Sequence, residues 1–149
     1  MNIKNVKNIL FPTDFSSTSV SALPWVYSLT EKYGAQVHFF HVVEKLGQSG
    51  FGYVPAPTLS SWKDQIFKSA EKTFERFCDE QMDQCPNFIK VMKIGNPVEE
   101  IIAYANENDI DLIVMPSRAR KGMDRLLMGS VAEKLVRSSS VPVLVVNPD

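Results

Sequence analysis

At 149 residues, with 44% hydrophobic and 22% charged side chains, the chain is sized for a single domain over residues 1–149, able to bury roughly 70% of its unfolded surface. A net charge of −1 excludes nucleic-acid binding by bulk charge. Two cysteines and two histidines exclude a disulfide framework and a His-rich metal site, and no apolar run nears the ~18 residues of a membrane span.

The opening Met1-Asn2-Ile3-Lys4-Asn5 carries no apolar leader, so a cytoplasmic location is expected. A first strand is predicted over residues 6–12, a short apolar run without alternation, as strands covered on both faces read. A helix follows, with Ser16 or Ser17 as its cap and Val20, Leu23, Val26, Tyr27, Leu29 and Tyr33 on one broad face. Pro24 lies inside it and should kink it or cost about 3 kcal/mol. The second strand is expected over residues 37–43. Residues 44–59, with Gly47, Gly50, Gly52, Pro55 and Pro57, read as an irregular connection, either a functional or mobile loop or an insertion without a role.

Trp62, Ile66, Ala70, Phe74 and Phe77 then form an amphipathic stripe of about five turns. A third strand is predicted over residues 88–94. Asn96-Pro97-Val98-Glu99 marks a helix start, with Asn as cap, Pro in the first turn and Glu at its third position. Val98, Ile101, Ile102 and Ala105 of that helix face inward. A fourth strand over residues 112–115, a helix over residues 130–137 with Val131, Ala132 and Leu135 inward, and a fifth strand over residues 141–146 complete the chain. Strands alternating with helices cannot pair as hairpins. They form a doubly wound α/β domain, a five-stranded parallel sheet with right-handed crossovers and helices on both faces.

In such a sheet ligands bind beyond the carboxyl ends of the strands, where strand order reverses. That directs attention to Pro12-Thr13-Asp14 after the first strand and to Pro116, Ser117, Arg118 and Ala119 after the fourth. Asp14 there either accepts from a ligand hydroxyl or stabilises the following helix dipole. Gly129-Ser130 opens a helix whose free N–H groups favour an anion, or is a plain cap. Arg118, Arg120, Lys121 and Arg125 either grip phosphate oxygens or make a solvated basic loop.

Four segments in order resemble the universal stress protein family. They are Ile9-Leu10-Phe11-Pro12-Thr13-Asp14-Phe15-Ser16, His41-Val42-Val43, Gly95-Asn96-Pro97-Val98-Glu99-Glu100-Ile101, and the stretch from Leu126 through Gly129-Ser130-Val131 to Val146. The resemblance covers essentially the whole chain. It implies the sheet order 3-2-1-4-5, and members that either bind ATP or do not. The binding pattern looks like Gly-x-x-Gly, nine residues, then Gly-Ser. Here Pro116 and Ala119 replace the two glycines, residues 120–128 supply the spacing, and Gly129-Ser130 completes the pattern. The resemblance places adenosine against Asp14 and the backbone of Val42, phosphates near Gly129, Ser130, Val131 and the loop from Arg118, and any Mg²⁺ on phosphate oxygens and water. Proline at 116 removes a donor and forbids positive φ, and alanine at 119 adds a methyl. Together these would weaken binding roughly tenfold to a few hundredfold.

His41 reads as a satisfied core histidine, Cys78 and Cys85 as structural thiols, and Phe39, Phe40, Trp25 and Trp62 as core or interface filler. Glu99 and Glu100 are explained by helix capping, so no catalytic set emerges, and without a Walker A motif slow ATP hydrolysis is the weakest reading. Two readings stand. One is a stress-response regulator binding an adenine nucleotide (ATP or AMP). The other is a dimeric signalling or scaffold protein with a vestigial pocket. In either, the apolar run from Val141 to Val146 is expected to pair with its own copy in a homodimer.

Overall fold

The computed structural model describes residues 4–44, 56–83, 85, 87–117 and 128–147. Its elements run β1 Asn8–Pro12, α1 Ser17–Tyr33, β2 Gln36–Glu44, α2 Ala56–Gln81, β3 Phe88–Gly95, α3 Pro97–Glu107, β4 Leu112–Pro116, α4 Ser130–Ser138 and β5 Val143–Val146. Every pairing is parallel, in the order β3-β2-β1-β4-β5, as the sequence and the resemblance imply. The period-2 pleat sends alternate residues to opposite faces. Ile9, Phe11, Val37 and Phe39 pack with α1 and α2, while Leu10, Phe40, Ile113 and Met115 pack with α3 and α4.

The caps follow from chemistry legible in the chain. Ser16, in extended conformation, accepts from the Ser19 amide to start α1, and Asn96 accepts from Val98 and Glu99 to start α3. Gly34 ends α1 at φ +64°, with its N–H bonded to the Thr30 carbonyl at 2.8 Å. Open space surrounds the position of a Cβ there, so the cost of Gly34→Ala is conformational alone. We expect a loss of about 1 kcal/mol in denaturant unfolding, with an unchanged slope.

Pro24 lies inside α1, as expected, and the helix continues past it to Tyr33. The ring faces solvent, where water can satisfy the carbonyl that proline leaves unpaired. The irregular stretch expected to reach residue 59 gives way to α2 at Ala56, and Pro57 sits in the first turn, where a missing N–H costs nothing. Residues 45–55 lie outside the described residues. Of the α2 stripe only the C-terminal part is buried: Phe74 and Phe77 are in the core, whereas Trp62 is 45% exposed and Ile66 37%. Trp25 is likewise exposed on α1. β3 is an edge strand with Ile89, Lys90, Lys93 and Ile94 exposed, not a strand covered on both faces. β1 begins at Asn8 and β5 at Val143, each two residues late. Before β5, Ser139 bonds both the amide and the carbonyl of Val141 in a local turn that competes with the ladder.

Candidate functional site

Strand order reverses between β1 and β4, and the two diverge beyond the carboxyl end of β1. A cavity of about 250 Å³ opens there, walled by the ends of β1, β2 and β4 and by the N-terminal turns of α3 and α4. Pro12, Thr13, Asp14, Val42, Pro116, Gly129, Ser130 and Val131 all line it. Arg118 and Ala119, with Arg120, Lys121 and Arg125, lie outside the described residues.

The turn from β1 into α1 is tied at every residue. The Thr13 amide donates to the Phe40 carbonyl at 2.9 Å, and the Phe15 amide donates to Thr13 Oγ1 at 3.0 Å. Asp14 Oδ1 accepts from the Ser16 amide at 3.0 Å and from Ser19 Oγ at 2.8 Å. Among the described residues no bond falls on Oδ2. The carboxylate is therefore oriented through one oxygen and can accept through the other. Phe15 holds φ +64°, a conformation a bulky L-residue enters only when its surroundings compel it.

At β4 the amides of Ile113 and Ser117 bond β5, to Pro142 and Val146. Amides alternate sides along a strand, so an N–H at position 116 would face the β1 side, where pairing has ended. Pro116 leaves no orphan donor at that split, and its position has no positive φ. Glycine is therefore not required there conformationally, and what proline changes is the donor and the bulk facing the cavity.

Gly129 caps α4 without a side-chain bond. Its amide donates to Ser117 at 2.6 Å and its carbonyl accepts from Glu133. The first-turn amides of Ser130, Val131 and Ala132 find no partner among the described residues, and all three residues border the cavity. These amides and the helix dipole favour an anion. A second helix start, at Asn96-Pro97, meets the cavity through Pro97 and Ile101. Among the described residues no cluster of three or more His, Cys, Asp or Glu could hold a metal ion. An acceptor at Asp14, apolar walls from Val42 and Ile101, and free amides at α4 make a composition suited to a nucleoside with an attached phosphate.

Sequence reasoning left Ser19, Glu44, Pro97, Ile101 and Met115 out of the site, and placed His41 in the core; Ser117, singled out after the fourth strand, does line the cavity. His41 is satisfied, as expected, with Nδ1 2.8 Å from the Thr13 carbonyl, but it is half-buried and borders the cavity. Burial lowers its pKa, opposed by the Thr13 bond and the Asp14 charge. The enclosed histidine is His38, whose Nδ1 lies 2.9 Å from the Tyr104 hydroxyl and whose buried Nε2 has no partner among the described residues. Pro97 was recoverable from the Asn-Pro start signal after a strand. Ser19 shows its role only once the turn has folded back on Asp14.

A protein-family description, the universal stress protein family, matches residues 5–147. The universal stress protein MJ0577 of Methanocaldococcus jannaschii is 29% identical across 94% of each chain, and a solved structure of MJ0577 superposes with a TM-score of 0.83, covering 98% of this chain and 99% of that one. The universal stress protein UspA from Lactobacillus plantarum gives 0.78 at 25% identity, covering 97% and 99%. A universal stress protein solved in complex with cAMP shares the fold at 20% identity and a TM-score of 0.59, covering 96% and 98%.

Proposed function

Since the chain belongs to the universal stress protein family, we propose that it is a stress-response regulator that takes an adenine nucleotide, ATP or AMP, into the cavity between β1 and β4. The observation that carries this reading is the convergence on one cavity of an oriented carboxylate, Asp14, and the unpaired first-turn amides of α4. Asp14 Oδ2 accepts from a ribose hydroxyl, the Val42 backbone meets the base edge, and Ser130 and Val131 donate to a phosphate oxygen. Mg²⁺ entering with ATP is held by phosphate oxygens and water. The nucleotide found on a distant relative, cAMP, has the same chemical parts.

The test is direct. Protein purified from its host is denatured and the supernatant examined by mass spectrometry, then the stripped protein is titrated with ATP and with AMP by calorimetry. Released adenine nucleotide, or saturable heat at micromolar to millimolar ligand, is the expected result. Neither signal up to millimolar ligand would leave the scaffold reading, which draws its support from Pro116 and from the Gly129 amide already spent on Ser117.

The second part of the proposal is a homodimer through β5. Among the described residues this strand pairs only with β4, Val143, Leu144 and Val145 are half-exposed, and Val136 on α4 is 50% exposed. An apolar edge of this kind invites a second strand, antiparallel across a two-fold axis. Light scattering at micromolar concentration should give about twice the 16.8 kDa chain mass, and Val145→Glu should return it to one chain. A monomer throughout that range for the unmodified protein would end the proposal. The buried free thiols suit a reducing, cytoplasmic setting: burial pushes Cys78 up to about 11 and raises Cys85 as well.

A further inference from the structure

We infer that His41 is a positioning residue for the nucleotide site. It holds the turn Thr13-Asp14-Phe15 in the conformation that presents the Asp14 carboxylate to the cavity. The inference rests on the nucleotide reading for its consequence, and on the geometry of the turn for its substance.

Phe15 stands in the left-handed region at φ +64°, which costs a bulky L-residue on the order of 1 kcal/mol or more. Its neighbours must over-determine it, and three rings do so. The His41 imidazole lies 4.3 Å from the Phe15 ring centre at a tilt of 33°, with Phe74 at 5.2 Å and Phe77 at 5.5 Å. The same imidazole is bonded to the Thr13 carbonyl at 2.8 Å, and among the described residues that carbonyl has no other partner. A carbonyl only accepts, so Nδ1 carries the hydrogen and the tautomer is fixed.

His41 thus grips the turn twice, by a hydrogen bond to its first residue and a ring contact on its third. Asp14 lies between the two grips. Its Oδ1 is tied forward to Ser16 and Ser19 and the Thr13 amide behind it to Phe40, so the peptide joining Thr13 to Asp14 is held on its carbonyl side by His41. The next residue on β2, Val42, lines the cavity. One stretch of strand therefore builds one wall and aims the acceptor on the opposite side.

The test compares two substitutions. His41→Phe keeps the ring on Phe15 and loses the donor. His41→Asn places an amide nitrogen the same number of bonds from Cα as Nδ1, restoring a donor to Thr13 without the ring. Amide exchange at Phe15 and Ser16, whose N–H groups bond within this turn, is followed by NMR without ligand. It is expected to rise about tenfold in His41→Phe and to return most of the way in His41→Asn. ATP and AMP affinity, by calorimetry, should fall about tenfold in His41→Phe and recover in His41→Asn. Should His41→Phe fail to fold, His41→Gln takes its place, because its amide nitrogen lies one bond further out and misses the carbonyl.

Unchanged exchange in the donor-less variant overturns the inference whatever the ligand does. Affinity lost equally in both variants with exchange unchanged also overturns it, since the imidazole would then be touching the ligand itself. If the wild type binds neither ATP nor AMP while exchange responds as expected, the nucleotide reading fails and the turn-holding role stands.

Discussion

Replacing Phe39 by alanine should remove about 3–5 kcal/mol of stability, a large share of the 5–15 kcal/mol typical of a whole domain. Phe39 is fully buried at the centre of the α1/α2 face. Its ring meets Phe11 edge-on at 5.4 Å and Phe88 edge-on at 5.7 Å, with Phe77 at 6.3 Å. The substitution loses both the transfer energy of the ring and the edge-to-face contacts, and it leaves a cavity bordered by β1, α2 and β3. Denaturant titration monitored by circular dichroism measures the loss. A value below about 1.5 kcal/mol would mean that the surrounding helices collapse into the space. Because Phe39 lies two residues before His41 on the same strand, any such collapse should also appear as altered amide shifts at Thr13 and Asp14.

The second large effect is loss of stability in mild acid. His38 is buried between β2 and α3, and burial is the cause that lowers its pKa. The imidazolium carries a hydrogen on both ring nitrogens, so a buried charge would form with Nε2–H lacking an acceptor among the described residues and only the neutral Tyr104 hydroxyl beside Nδ1. His41 also has a lowered pKa, first through burial. A histidine whose folded pKa lies below its unfolded value near 6.5 binds fewer protons when folded. Stability is therefore flat above about pH 7 and falls as pH drops through about 6.5, with a slope of at most about 1.4 kcal/mol per pH unit for each histidine. The double variant His38→Phe/Tyr104→Phe replaces the polar pair with shapes close to the originals and should flatten the decline between pH 7 and pH 5. Chemical denaturation at both pH values decides the matter, and a variant as acid-sensitive as the wild type would refute the role given to His38.

Much of this fold was legible because its signals are local. The Asn96-Pro97 start, the Ser16 cap and the β-branched runs depend on neighbours within a turn or two of the chain, and they recur in the structure within two residues. The failures share a different cause. Whether Trp62 is buried depends on how far the sheet extends beneath α2, and β3 is the edge, so the stripe outruns the surface that would cover it. Lys90 and Lys93 within the β3 run were the available sign that this strand is exposed. At the site, Asp14 and Gly129 were reached by the rule that ligands sit where strand order reverses, and Val42 only by the family resemblance. His41 is satisfied, as the sequence suggested, but its place beside the cavity was not legible, because its partner, Thr13, is 28 residues away and because nothing in the chain marks Phe15, a phenylalanine, for a left-handed conformation that local chemistry reserves for glycine or asparagine.

The two rims of the sheet differ in a way that limits assembly. β3 presents charge along its free side, at Lys90 and Lys93, whereas β5 from Val143 to Val146 presents none. Joining two copies through β5 would consume both uncharged rims and leave a ten-stranded sheet ending in lysines on either side, by the arithmetic of two five-stranded sheets. A third copy would then meet ammonium groups where it needs bare backbone. Under the proposed pairing through β5, association would be self-terminating: it would stop at a pair and not propagate into a fibre.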